Sequence, residues 1–204
     1  VSLPEEQAYV VNLNLPQMLQ KELREAIELR LEEVVPYSAS EVEFDYEITH
    51  HPTVEHPSFD CVVSVFPKES LHDYEKALAQ AAILPVACEI EGQALTRALT
   101  PMGDASTSLL VDFGKRRAGV VIAQSGIVHF SATVPFGGMH VNKSIMDTFH
   151  VSVDVAEKMK RDQKSVPAAR AQEFTSLVCS SLSVLADEIN KYKLYWEDHK
   201  DARG

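Results

Sequence analysis

The stretch from Leu109 to His129, LLVDFGKRRAGVVIAQSGIVH, carries the residues best placed to do chemistry. A short apolar run ends in Asp112-Phe113-Gly114, and a polar turn, Lys115 to Arg117, leads to a second run at Gly119–Ala123. A Ser125–Gly126 turn then opens a third run, Ile127–Val134, so the segment reads as two consecutive β-hairpins. A carboxylate and a glycine at a strand end suit phosphate chemistry. The glycine lets backbone approach a nucleotide closely, and the aspartate can hold a Mg²⁺-bound water. The same triplet also makes an ordinary β-turn, and both readings stand. Lys115, at the hairpin tip, reads as a solvated turn charge unless the hairpin holds phosphate. Gly137–Gly138 can open a helix N-terminus onto a phosphate, or simply make a tight strand-to-helix turn. Glu188 and Lys191 lie one turn apart on one helix face, the spacing of a surface i, i+3 ion pair.

Other reactive side chains lack a chemical context. Ser64 and Ser125 sit outside any Gly-x-Ser-x-Gly pattern, and no catalytic residue is assigned. His50, His51 and His56 cluster beside Glu55 and Asp60. They fall in a proline-rich loop without the i, i+4 spacing of a preorganised metal site, so a solvated loop is the reading and no metal is assigned. Cys61, Cys88 and Cys179 have no metal-ligand spacing; two lie in apolar runs, as buried reduced thiols do, which points to a reducing cytosol.

Composition narrows the partners. The 204 residues are 45% hydrophobic, enough to bury one large or two small cores. A net charge of −11 argues against nucleic acid, which needs a basic face, and against adhesion to anionic lipid. No apolar run reaches membrane-spanning length and no signal peptide is evident.

The elements that would position the hairpin follow from periodicity. Ala8–Leu13 reads as a strand. Pro16 is expected to open a helix to about Val34, with Leu19, Leu23, Ile27, Leu31 and Val34 inward and a glutamate-rich outer face. Pro36 stops it. Val42–Ile48 alternates apolar and acidic residues, a strand buried on one face, and Phe59–Phe66 is a more continuously apolar strand. Helices are expected at Glu69–Ile83 and Gly92–Leu99, with a strand at Pro85–Glu89 between them. Thr100–Ser106 has linker chemistry and is expected to mark a domain boundary. Helices at Met139–Phe149, Val153–Asp162 (N-cap Ser152) and Ala168–His199 follow, with a charged tail over residues 198–204.

Four stretches together carry a resemblance: AIELRLEEVVPYSASEVEFDYEI (26–48), FPKESLHDYEKALAQAAILPVACEIEGQALTRAL (66–99), the Asp-Phe-Gly hairpin with its VPFGG exit (134–138), and DEINKYKLYW (187–196). In order and spacing they resemble the PilM family of type IV pilus assembly proteins and, more distantly, FtsA of cell division. The resemblance covers nearly all of the chain. It implies an α/β actin-like ATPase (ribonuclease H-like) fold with an inserted strand-helix-strand-strand α+β module, the order that the periodicity of Ala8–Phe66 yields on its own. Residues 1–83 would be mostly that module with its return helix, 84–104 part of the first actin-like lobe, and 107–204 the start of the second lobe.

The resemblance further implies a nucleotide site at Asp112, Gly114, Lys115, Gly137, Gly138, Glu188 and Lys191, with ATP and Mg²⁺ as cofactors of the parent protein. The family's first phosphate hairpin would precede residue 1 and its adenosine motif would follow residue 204, so this chain is expected to be a fragment that binds no nucleotide tightly. Family hairpins place small hydroxyl residues after the glycine, where this chain has Arg116, Arg117, Ala118 and Gly119. An arginine there can pair with phosphate or fill the site. The expected function is a cytoplasmic scaffold, peripheral at the inner membrane. It would bind the N-terminal peptide of a PilN-like inner-membrane protein in a groove beside the module, together with other pilus-machine proteins. Basic residues on that peptide would suit the acidic helix of residues 17–34. Homo-oligomerisation through exposed sheet edges is a further expectation. The competing readings are an active ATPase or small-molecule kinase of the same superfold and an FtsA-like division protein.

Overall fold

The computed structural model describes residues 1–199, which form two compact units. The first comprises Val1–Leu110 with Val121–Ala132; the second comprises Val111–Val120 with residues 133–199.

The first unit is built on a three-stranded antiparallel sheet of β2 (Tyr9–Pro16), β3 (Val42–His50) and β4 (Ser58–Pro67), in the order β2-β4-β3. Helix α1 (Leu23–Val34) covers one face, with Leu23, Ile27 and Leu31 fully buried against Leu13, Leu15, Phe59, Cys61, Val63 and Val65. β4 is the middle strand, which explains why its sequence is apolar on both faces. β3 is an edge strand with one covered face and therefore alternates. Its outward residues Glu43, Asp45 and Glu47 pair in register with Phe66, Ser64 and Val62.

The helix of residues 17–34 starts later than periodicity suggests. Pro16 ends β2, opposite Ser58, and does not open a helix. β2 lies at an edge, where a missing N–H costs no ladder bond. A single 3₁₀ turn (Gln20–Glu22) precedes α1, with the Glu22 carboxylate accepting from the Leu19 amide at 3.2 Å. Leu19 and Val34, expected inward, are largely exposed.

Helix α2 (Lys68–Gln80) follows. The strand expected at Pro85–Glu89 shrinks to β5 (Glu89–Ile90), which pairs in parallel with β1 (Ser2–Leu3), and Val86 is fully exposed. Helix α3 (Glu91–Leu99) is capped from a distance, because the buried Glu5 carboxylate accepts from the Gly92 amide at 2.9 Å. A carboxylate there also complements the positive end of the helix dipole.

The two hairpins form as read: β6 (Thr107–Phe113), β7 (Ala118–Gln124) and β8 (Ile127–Val134), in the order β6-β7-β8. Ser125 and Gly126 both have positive φ, the I′-like geometry that matches strand twist in a two-residue turn.

The second unit packs α4 (Gly138–Phe149), α5 (Val153–Arg161) and α6 (Ala171–His199) around Val120, Phe136, Val141, Ile145, Met159 and Phe174. Ser152 caps α5 as expected, its hydroxyl accepting from the Val155 amide at 3.5 Å. α6 includes Asp198 and His199; the rest of the expected tail, residues 200–204, lies outside the described residues. Only Cys61 of the three cysteines is buried, so exposed thiols at Cys88 and Cys179 replace the second buried one expected. Burial pushes the Cys61 thiol up to about 11, with the charge of Asp60 adding to the effect.

Candidate functional site

The sequence-derived nucleotide residues fall into two groups. Gly114, Lys115, Gly137 and Gly138 converge at one place in the second unit. The Gly114 amide donates to the Arg117 carbonyl at 3.0 Å and closes the hairpin turn. The Gly138 amide donates to the Gly114 carbonyl at 3.0 Å, and the Met139 amide to the Lys115 carbonyl at 2.8 Å. These are the first amides of α4, the groups a helix N-terminus offers to an anion. The next, on His140, donates to the Gly137 carbonyl at 2.9 Å, and the Gly137 amide donates to His140 Nδ1 at 3.0 Å. All of these amides are engaged inside the protein. The glycines matter here because backbone passes so close: a Cβ on Gly137 would stand 2.7 Å from the Gly114 carbonyl oxygen.

A fourth element fastens this clasp. Lys160 Nζ on α5 donates to the Gly138 carbonyl at 3.3 Å and to Glu157 at 2.6 Å. Glu157 also accepts from Asn142 Nδ2 and Arg161 Nε, each at 2.6 Å. The hydrogen bond from Lys160, then those from Asn142 and Arg161, hold the Glu157 carboxyl down at about 2. Removing that charge with Glu157→Gln is expected to destabilise the protein at pH 7 by about 1 kcal/mol, because the half-exposed site is screened by solvent. The folded-state value lies below the unfolded one. The stabilisation is therefore complete above the ordinary glutamate range and fades as pH falls toward 2. Thermal melts of both proteins at pH 7, 4.5 and 2.5 should show a gap that closes at the acid end.

Among the described residues Asp112, Glu188 and Lys191 take no part in the hydrogen bonds of the clasp. Asp112 is exposed on β6, with its Cβ beside Gly119. Lys191 Nζ donates to Glu188 at 3.3 Å on α6, the i, i+3 pair that spacing allows. No hydrogen bond among the described residues joins these three to the glycines. The amides of Gly114, Gly137, Gly138, Met139 and His140, which a phosphate at this helix start would call on, already have partners inside the protein.

In the histidine loop His56 is held internally, while the buried His50 Nε2 has no partner among the described residues. His56 Nε2 faces both Asp60 Oδ2 (3.1 Å) and Ser58 Oγ (2.9 Å), while Asn14 Nδ2 donates to Ser58 Oγ and Asp60 Oδ1. A serine-to-aspartate relay needs both ring nitrogens; here one nitrogen serves both partners. Among the described residues no group of three or more His, Cys, Asp or Glu side chains is placed to hold a metal ion.

Sequence reasoning missed a cleft of the first unit. A cleft of about 670 Å³ lies against the outward face of β3 and β4, with α3, β5 and residues 101–103 contributing its other walls. Gln93 Nε2 donates to Ser64 Oγ at 3.0 Å across its base. Its carboxylates differ in how they are partnered. Glu89 is clasped by the Arg97 guanidinium, and Glu43 faces Lys68 Nζ at 3.5 Å. Among the described residues Asp45 and Glu47 have no cation partner, and Asp45 accepts from the adjacent Tyr46 amide at 2.9 Å. Loss of solvent around Glu47, with Asp45's charge adding, raises its carboxyl. Thr96, fully buried, lines the same cleft with its hydroxyl unpartnered, as does the hydroxyl of Thr100 one turn on. The alternation of β3 signalled the acidic face; nothing in the local sequence signalled that it would be roofed.

A family model described as type IV pilus assembly protein PilM matches residues 1–181. The chain belongs to the PilM family. Its structure is similar to that of a PilM–PilN type IV pilus biogenesis complex, with a TM-score of 0.71 at 18% identity over 94% of this chain and 56% of that one. This PilM-family chain therefore has the actin-like α/β fold and spans about half the length of that relative. Weaker similarities reach the ethanolamine utilization protein EutJ from Carboxydothermus hydrogenoformans (TM-score 0.47, 21% identity, 57% of this chain and 40% of that one). The cytoplasmic domain of EpsL, an inner-membrane component of the type II secretion system of Vibrio cholerae, scores the same (TM-score 0.47, 10% identity, 66% and 49%). No helix among the described residues of this PilM-family chain is long and apolar enough to cross a membrane.

Proposed function

We propose that this PilM-family chain acts as a cytoplasmic scaffold of pilus assembly, peripheral at the inner membrane. Its first unit receives the N-terminal peptide of a PilN-like inner-membrane partner. The observation that carries this reading is the acidic cleft against edge strand β3. An extended peptide laid there gains side-chain pockets on the sheet face and main-chain bonds at the edge. The charge distribution agrees: the first unit has six lysines and arginines against nineteen aspartates and glutamates. The solved neighbour is itself a PilM bound to PilN. Mg-ATP is not bound tightly by this chain, because the clasp at Gly114, Gly137 and Gly138 has no amides to offer it.

Two titrations by isothermal calorimetry test the proposal, one with a synthetic N-terminal peptide of a PilN-like protein from the same genome and one with Mg-ATP. Peptide binding in the micromolar range with no heat from Mg-ATP is expected. Tight Mg-ATP binding with turnover, and no peptide affinity, would overturn the scaffold reading in favour of an ATPase or kinase.

A further inference from the structure

We propose that copies of this chain associate head to tail. The acidic outer face of α1, centred on Leu29, in one copy meets the basic hairpin turn and the start of α4, centred on Met139, in the next. α1 covers the sheet face away from the cleft, so this contact and the docking of a PilN-like peptide are independent.

The acidic surface follows from the pattern of α1. Leu29 is 73% exposed, and three of its four helical neighbours at i±3 and i±4 are Glu25, Glu32 and Glu33. Glu28 adjoins it in sequence. The two arginines of the helix are used elsewhere: Arg30 pairs with Glu33 at 3.0 Å, and the Arg24 guanidinium lies 4.4 Å from the centre of the Phe44 ring. Among the described residues Glu25 and Glu28 have no cation partner. An exposed leucine alone needs no explanation. Here it stands among carboxylates that this chain does not neutralise.

The basic surface is built by the clasp. Lys115 and Arg116 are exposed at the hairpin turn. The Met139 amide donates to the Lys115 carbonyl at 2.8 Å, which sets Met139, itself 46% exposed, beside that turn. Lys143, also exposed, follows one helical turn along the same face of α4. Among the described residues the side chains of Lys115, Arg116 and Lys143 have no carboxylate partner. Asp112, three residues before Lys115, pairs with none of them, and Glu157 is already held by Lys160, Asn142 and Arg161.

The two surfaces carry the same pattern with opposite sign: one exposed apolar side chain among unpaired charges. The distribution of charge over the chain agrees. The first unit has six lysines and arginines against nineteen aspartates and glutamates, whereas residues 111–120 and 133–199 of the second have eleven against ten. At a net charge of −11 the chain as a whole repels both its own copies and an anionic membrane. An oriented approach, basic patch to acidic helix, turns that repulsion into local attraction, and a second copy supplies the acidic face. Because the two surfaces differ, each contact leaves one of each kind free, so association continues into a longer chain or closes into a ring.

Sedimentation velocity of the whole chain tests this with two charge-reversed variants, Lys115→Glu/Arg116→Glu and Glu25→Lys/Glu28→Lys. All four side chains are exposed and bond to no other side chain among the described residues, so both variants should fold, which circular dichroism checks. The parent should associate as its concentration rises, and the affinity should fall about tenfold between roughly 50 and 300 mM salt, as exposed charges are screened. Each variant alone should stay monomeric where the parent associates, because it presents like charges to its own copies. An equimolar mixture of the two should associate again, since every altered surface then meets its opposite. A parent that is monomeric up to about 1 mM overturns the proposal. So does a folded mixture that fails to associate, or a variant that associates as the parent does. Co-sedimentation of a monomeric parent with vesicles of phosphatidylethanolamine and phosphatidylglycerol, lost in Lys115→Glu/Arg116→Glu, would give the basic patch to the membrane and overturn self-association.

Discussion

Replacing Gly137 by alanine is expected to destabilise the protein by about 3 kcal/mol, at the upper end for overpacking, and to lower its melting temperature by roughly 6–12 °C. The backbone angle is not the cause: Gly137 has φ −158°, extended geometry open to any residue. The cause is space. The added Cβ would meet the Gly114 carbonyl oxygen at 2.7 Å and the Arg116 carbonyl carbon and Arg117 nitrogen at 2.8 Å. All three are backbone atoms of a hydrogen-bonded turn, and none can swing aside as a side-chain tip would. To accommodate the methyl group, the hairpin must part from α4, breaking the bonds from the Gly138 and Met139 amides. Gly126→Ala is the matched control. It has φ +80° and open space around it, so it should cost only about 1 kcal/mol of backbone strain. Thermal melts of the two variants side by side decide the matter; equal losses would mean that the close approach at Gly137 does not exist in solution.

Ile27→Ala is expected to cost 2–5 kcal/mol, about the range for truncating a buried aliphatic side chain. Ile27 lies at the centre of α1, 0% exposed, between Leu23 and Leu31 and over the sheet that carries Cys61 and Val63. The cavity would sit beneath the whole layer, because each of those neighbours is itself fully or almost fully buried. Leu29, on the same helix but 73% exposed, should tolerate alanine within about half a kcal/mol. Denaturant midpoints measure both. Thiol labelling adds a local reading: Cys88 and Cys179 should react at once in every variant, while Cys61, slow in the parent, should become accessible in Ile27→Ala.

Much of the candidate chemistry was visible as residue types, and little of its outcome was. The Asp-Phe-Gly hairpin, the Gly-Gly helix start and the Glu188–Lys191 pair each had a bland alternative, and sequence could not choose between the two. The structure places Gly114, Lys115, Gly137 and Gly138 together, with the Gly114, Gly138 and Met139 amides donating to hairpin carbonyls and the Gly137 amide to His140 Nδ1. Whether an N–H faces a ligand or a neighbouring carbonyl depends on how two elements 20 residues apart approach each other, and no local spacing encodes that. The fastening by Lys160, Glu157 and Asn142 was half legible: Glu157, Lys160 and Arg161 have helical i, i+3 and i, i+4 spacing, whereas Asn142 comes from another helix.

What the sequence determined by itself is the order of the elements and which face of each is apolar. The alternation of Val42–Ile48, the more continuously apolar run of β4, the Ser125–Gly126 turn and the stripe Leu23–Ile27–Leu31 all reappear, because backbone periodicity and side-chain hydropathy act within a few residues. The outcome at Pro16 depended on where β2 stands in the sheet: proline is compatible with a helix start and with an edge strand, and only the pairing with Ser58 selects the edge. The cleft is a tertiary product in the same sense. Asp45 and Glu47 on β3 and Thr96 on α3 are about 50 residues apart in the chain, and each alone reads as a solvated carboxylate or a helical threonine. The fold encloses Thr96 and takes part of the solvent from Glu47 while Asp45 stays exposed, an outcome set by how helix and sheet approach each other and encoded in neither alone.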